Sequence, residues 1–290
     1  FTFSSSSSSQ SLLTTFQKDY HGFSVLPFAI EQDVTIAVSF SSSTDGSESS
    51  LLKMKNMDPS YSESTMSFIE LSAPESIHSW ISYVRAGFLG VRDLCSQNQL
   101  TDVKWKGLSL LVQGSVPAGS GLSSSSALVV ACGLVFLHAN NLHHLVSSIE
   151  HFASLMADAE RYVGTCGGGM DQAIVMTGQE GFAKLVDFVP TLKTRNVKLP
   201  PSAVFVVANS LVVSNKAETA PKCFNLRVIE GRLATAVLAH RMGLTDWQLL
   251  SKLHQIPDAA HLKLSEMPEL CRKHLPSTHV TLAQVATELG

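Results

Sequence analysis

Hydrophobic and polar positions along this 290-residue chain alternate in two rhythms. Short runs rich in β-branched and aromatic residues predict strands at residues 22–27, 33–40, 108–114 and 183–188, and a buried strand at 204–208. Apolar residues at helical spacing (Ile77, Trp80, Ile81, Val84, Phe88, Leu89) predict a helix over 77–94. A nearly unbroken apolar stretch predicts a buried helix over 128–139. Residues 142–163 read as a further helix with Glu160 in its last turn. After the breaker Pro221, residues 225–240 form a long amphipathic pattern with Gly243 beyond it as a stop. Residues 249–290 read as helical, divided by Pro257, Pro268 and Pro276, while 41–50 read as a polar turn and 190–201 as a connection. Strands and helices mix without regular alternation, which points to an α+β fold.

Composition narrows the class. With 44% hydrophobic and 16% charged residues the chain reads as folded and soluble. A formal charge of −3 and the lack of any Lys/Arg run argue against nucleic acid as a partner. The longest apolar run, 127–137, is too short to span a bilayer, so no membrane partner is expected. Cys95, Cys132, Cys166, Cys223 and Cys271 lie far apart with no metal-ligand spacing, which suits reduced thiols in a cytoplasmic setting. Residues 1–18 form a Ser-rich leader of the kind that is usually solvated and flexible. It lacks the pattern of a signal peptide, and with Phe1 in place of a starting methionine it points to an incomplete coding sequence.

Two segments carry candidate chemistry. Pro117-Ala-Gly-Ser-Gly-Leu-Ser-Ser-Ser-Ser-Ala127 is a turn of small residues between an apolar strand and an apolar helix. Such a turn presents backbone N–H groups at the positive end of the helix, and its serine hydroxyls can serve phosphate oxygens or a hard cation. The bland reading is an inert helix-entry turn; the flanking strand and helix favour phosphate. No lysine follows the last glycine, so it is not a Walker A loop, and it lacks the third glycine of a dinucleotide fingerprint. Gly167-Gly-Gly-Met-Asp-Gln172 places Asp171 in a glycine-dense loop. Asp171 is either a turn former and helix cap or a base that receives a hydroxyl proton. Glu160 opposes the helix dipole near a helix end, and is either a solvated glutamate or a Mg²⁺ ligand beside a loop serine.

Read together, these residues resemble the GHMP small-molecule kinases. The 117–127 segment looks like that superfamily's ATP-phosphate motif, and Arg161-Tyr-Val-Gly-Thr-Cys-Gly-Gly-Gly-Met-Asp-Gln172 narrows the resemblance to the galactokinase branch. Residues 208–219 and 224–230 are most similar to N-acetylgalactosamine kinase and the plant galactokinases near it. The resemblance spans about residues 19–290. It implies the GHMP-kinase two-domain α+β fold, with an N-terminal domain like ribosomal protein S5 domain 2 at 19–200 and a partial C-terminal domain at 201–290. It implies ATP and Mg²⁺ as cofactors, and phosphorylation at the C1 hydroxyl of galactose or N-acetylgalactosamine by a cytoplasmic monomer. By position, Asp171 matches the catalytic aspartate. Pro117, Gly119, Ser120, Gly121, Leu122, Ser123, Ser124 and Ser125 match the phosphate loop. Ser125 and Glu160 match the metal positions, and Asp19, Tyr20, Gly168, Asp171 and Phe224 match sugar contacts. Phe224 stands where galactokinases carry a tyrosine, which favours the acetamido sugar.

The chain departs from the family pattern at both ends. Thr15-Phe16-Gln17-Lys18 precedes Asp19 where the resemblance calls for Gly-Glu-His, and the arginine expected a few residues earlier is absent. Lys18 is a nearby cation without the planar fork of a guanidinium. The family's later glycine-rich motif and strands do not follow the helices near Gly290. The expectation is therefore a sugar-1-kinase with a truncated C-terminal domain. The alternatives are a non-catalytic sugar- and ATP-binding regulator, or an inactive and unstable fragment.

Overall fold

Alternation of apolar side chains builds the central sheet. Val34, Ile36 and Val38 of β4 (Val34–Phe40) point into the core, and Leu108, Leu110 and Val112 of β7 (Leu108–Gly114) repeat the pattern beside them. The five-stranded sheet runs in the order β1 (Thr2–Ser5), β4, β7, β5 (Leu51–Asn56), β6 (Ser64–Ser67). Its neighbours are antiparallel except β5 and β7, which are parallel. A parallel pair needs a crossover. The chain makes it through β6, α1 (Phe68–Ser72) and α2 (Trp80–Gln97). A second sheet orders β2 (Gln10–Ser11), β3 (Phe28–Ala29), β8 (Phe182–Asp187) and β9 (Lys193–Lys198). This computed structural model describes residues 2–5, 10–11, 19–40, 50–74, 79–208, 211, 224–276 and 278–290.

Helices cover the apolar face of the first sheet. α3 (Ser124–Ala139) is buried over most of its circumference, as its unbroken apolar sequence demands, and packs between α2 and α4 (Ile149–Ala159). Phe68, Phe88, Trp105 and Phe136 meet edge-on or tilted at the centre of this core. α5 (Met170–Thr177) packs against α3 and α4. Of the remaining helices, α6 (Phe224–Arg241), α7 (Gln255–Ala259) and α8 (Met267–His274) gather around a smaller core of Leu238, Ala239, Ile256 and Met267, and α9 (Leu282–Leu289) lies against α6. Among the described residues, no helix is long and apolar enough to cross a membrane.

Several expectations change. Residues 22–27 are not a strand: only Val25 bridges to Val186, and the strand proper begins at Phe28. Among the described residues, the predicted buried strand at 204–208 is neither buried nor paired, with Val204 85% and Val206 87% exposed. The helix expected over 142–163 is shorter, because a 3-10 turn at His143–Leu145 and the Ser148 N-cap set its start and a second 3-10 turn (Glu160–Val163) ends it. The expected connection 190–201 contains β9. β5 and β6 were not predicted: Leu52 and Met54 are the only buried positions of β5, and β6 has none. α2 starts at Trp80 behind its Ser79 cap, and α3 begins at Ser124. In the Ser-rich leader expected to be flexible, the described residues form β1 and β2. Ile77 and residues 41–49 lie outside the described residues.

Candidate active site

The small-residue turn delivers the chain from β7 into α3. Ser123, the residue before the helix, takes a left-handed backbone (φ +60°) and makes no side-chain cap. Its side chain is buried, and among the described residues its Oγ has no hydrogen-bond partner. A buried hydroxyl without a partner costs free energy, so the loop is poised for an external acceptor. Ser123 lines a cleft of about 480 Å³ together with Pro117, Gly119, Gly121, Ser124 and Ser125. Ser120 and Leu122 are not part of this lining. The Ser120 hydroxyl donates back to Pro117 O at 2.7 Å, and Leu122 packs against the core. The same cleft is lined by the rings of Tyr61, Trp80 and Tyr83 and by Asn56 and Asp58. Sequence patterning assigned Trp80 to the core face of a helix and gave no sign of this aromatic wall. Trp80 Nε1 donates to Ser62 O at 3.1 Å, which fixes the ring over the cleft.

Asp171 sits in the first turn of α5, half-buried, with Gly169 as the residue before the helix. Asp19 arrives from a 3-10 turn (Asp19–His21) and is only 7% exposed. Its Oδ2 accepts from Met170 N at 3.3 Å, so it lies at the positive end of the same helix. Burial, reinforced by the Asp171 charge, pushes the Asp19 carboxyl above the ordinary aspartate range. Gly168 makes this approach possible: a Cβ there would lie 2.3 Å from Asp19 C and 2.4 Å from Tyr20 N. Glu160 is buried at the end of α4 and accepts from Ser126 Oγ at 2.5 Å, while Thr165 Oγ1 reaches its backbone oxygen at 3.3 Å.

Asp19, Asp171, Gly168, Glu160 and Ser125 therefore line one narrow cavity of about 30 Å³. Ser125 and Tyr83 also line the cleft under the 117–125 loop, so the two spaces share those two residues. Tyr20 instead lines a separate cavity of about 580 Å³ on the other side of Gly168. Phe224 supplies the first residue of α6, and its side chain lies outside the described residues, as do residues 212–223. Among the described residues, no three His, Cys, Asp or Glu side chains form a complete metal cage. The oxygen donors of Glu160 and Ser125 are of the kind a hard cation takes when substrate phosphates complete its shell.

The raised Asp19 has a consequence for stability. Its protonated form stabilises the fold fully below the ordinary aspartate range, and that contribution is lost as pH rises through the raised folded value. Asp19→Asn keeps an acceptor for Met170 N and removes the buried charge. The variant is expected to melt above the parent at pH 8, with the gap closing towards pH 4. Thermal denaturation across that range checks this.

Residues 87–179 match the GHMP kinases N terminal domain, and residues 18–40 match the galactokinase galactose-binding signature. A galactokinase of Dictyostelium discoideum is 38% identical over 278 residues, covering 93% of this chain and 52% of that protein. A galactokinase of Candida maltosa is 30% identical over 162 residues, covering 56% of this chain and 71% of that one. The crystal structure of Lactococcus lactis galactokinase complexed with galactose shares the fold, with a TM-score of 0.57 at 20% identity over 94% of this chain and 69% of that one. The chain spans about half the length of the first curated relatives it matches.

Proposed function

We propose a sugar-1-kinase function for this chain, which belongs to the galactokinase family of the GHMP kinases: ATP-dependent phosphorylation of galactose at its C1 hydroxyl. The observation that carries this reading is the convergence of Asp19 and Asp171 on a cavity that shares Ser125 and Tyr83 with the cleft below the small-residue loop. The adenine ring stacks in that cleft against Trp80. The triphosphate lies along Ser123–Ser125, where the unpartnered Ser123 hydroxyl and the start of α3 meet its charge. Asp19 holds ring hydroxyls of the sugar, and the close packing of Gly168 on Asp19 sets the sugar against Asp171. Asp171 takes the C1 hydroxyl proton as that oxygen bonds to the γ-phosphorus. The bond to the β–γ bridging oxygen breaks, and ADP leaves with the electron pair. Glu160 and Ser125 are the residues that would hold Mg²⁺, which when bound neutralises charge on the phosphate oxygens.

N-acetylgalactosamine is the competing substrate, favoured by phenylalanine at 224 in place of a tyrosine. Within this reading the enzyme is a cytoplasmic monomer, residues 19–200 are its ATP- and sugar-binding domain, and 201–290 belong to its C-terminal domain. The test is ADP release by the full-length protein with galactose, N-acetylgalactosamine or glucose. Release that depends on galactose is expected. Release with the acetamido sugar alone transfers the proposal to that substrate. Sugar and ATP binding with no turnover marks a regulator and sinks the kinase. Trp80→Ala is expected to raise the KM for ATP roughly tenfold, the scale of one lost base–aromatic stack, while the sugar KM stays near its starting value. Steady-state kinetics with each substrate varied separately checks this.

A further inference from the structure

We infer that Asn225 is a positioning residue, and that the face of α6 it shares with Gly231 holds the two sugar-side elements in register. The inference rests on the kinase reading above. Asn225, Val228, Gly231 and Thr235 recur at helical spacing and so share one face of α6. Val228 and Thr235 are buried on it. At one end, Asn225 Oδ1 accepts from Cys166 N at 3.2 Å while its Nδ2 donates to Gly164 O at 2.8 Å. One amide thus grips both sides of the backbone where the chain leaves the Glu160–Val163 turn and enters the loop that carries Gly168.

Two turns further along, Gly231 faces the ring of His21. A Cβ at Gly231 would lie 1.8 Å from His21 Cε1, so the helix sits directly on the turn that carries Asp19. His254 N donates to His21 O at 3.2 Å, closing on that turn from the side of α7. Gly168, in the loop that follows the gripped entrance, packs directly on Asp19. A glycine-dense loop has large conformational freedom of its own. Anchoring its entrance to the helix that also supports Asp19 fixes where Gly168 and Asp171 stand relative to that carboxylate. A small misplacement at a reacting centre can cost about 10²-fold in rate, so the effect is expected in kcat rather than in nucleotide binding.

The experiment uses the full-length protein and two variants. Asn225→Ala removes both hydrogen bonds; Asn225→Asp keeps the acceptor for Cys166 and loses the donor to Gly164. Hydrogen exchange of the peptide spanning 164–169 is expected to speed up roughly tenfold in Asn225→Ala and less in Asn225→Asp. Over the same order, kcat is expected to fall by roughly 10- to 100-fold, with the KM for ATP unchanged. Unchanged exchange in both variants overturns the clamp and leaves the kinase reading standing. Faster exchange with unchanged kcat also overturns the positioning role. A parent protein that turns over no sugar fails the kinase reading, and the exchange data then still decide whether Asn225 holds the loop. Should Asn225→Ala not fold, Asn225→Asp carries both readouts.

Discussion

Replacing Asp171 with asparagine in the full-length protein lowers kcat by roughly 10²-fold or more, the scale of a lost general base, and leaves the KM for ATP near its starting value. The amide is nearly isosteric, so the start of α5 and the lining of the cavity survive. Under the proposed mechanism, what disappears is the acceptor for the C1 hydroxyl proton, because an amide cannot take up a proton at neutral pH. The substitution has a second effect that a purely structural residue would not show. The Asp171 charge helps to hold the Asp19 carboxyl high, so its removal lets Asp19 ionise more readily. That relief offsets part of what the lost carboxylate costs at the start of α5, so Asp171→Asn is expected to melt close to the parent at neutral pH although it is nearly inactive. Rapid measurement of ADP formation together with thermal denaturation checks the pair of outcomes. Near-normal turnover would remove Asp171 from the mechanism.

Gly168→Ala is expected to cost both stability and activity. The added methyl would lie 2.3 Å from Asp19 C and 2.5 Å from its Cγ, well inside contact distance and largely against backbone. Backbone cannot rotate aside as a flexible side chain can, so the loop and the Asp19 turn must separate. Overpacking of this kind costs about 1–3 kcal/mol, which corresponds to a melting point lower by roughly 2–12 °C for a domain of this size. Separation also moves Asp19 away from Asp171, so sugar kcat/KM should fall by roughly 10²-fold. The KM for ATP should hardly change, because the phosphate loop and the Trp80 wall lie in the other cleft. An alanine variant with parental melting and kinetics would show that the contact is not required. Taken with Asp171→Asn, the two variants separate a lost proton acceptor from a lost geometry: only Gly168→Ala should weaken the fold.

Local chemistry was readable along the chain. α3 follows from its unbroken apolar run, and α6 from its helical spacing between Pro221 and Gly243. The loop from Pro117 to Ser125 could be assigned because small residues at a strand-to-helix junction dictate an open backbone wherever they occur. β5, β6 and β9 were not readable. Few of their side chains are buried, and their strand conformation depends on neighbours far away in sequence, such as the pairing of Leu52 with Leu108. Residues 204–208 fail in the opposite direction: their β-branched composition fits a strand, and among the described residues no partner strand lies beside them.

The candidate site divides along the same line. Sequence alone put forward Asp171, Glu160 and the small-residue loop as candidates, each beside a structural alternative, and the family resemblance added Gly168. Only the tertiary structure brought Asp19 to the amide of Met170, 151 residues away, and made that carboxyl resist ionisation. Only the structure placed Tyr61, Trp80 and Tyr83 around one cleft and laid α6 across both sugar-side elements. Periodicity and turn chemistry are properties of a few consecutive residues. Burial of a charge, the meeting of two carboxylates and the grip of one amide on a distant loop depend on which elements pack together, and that choice belongs to the whole fold.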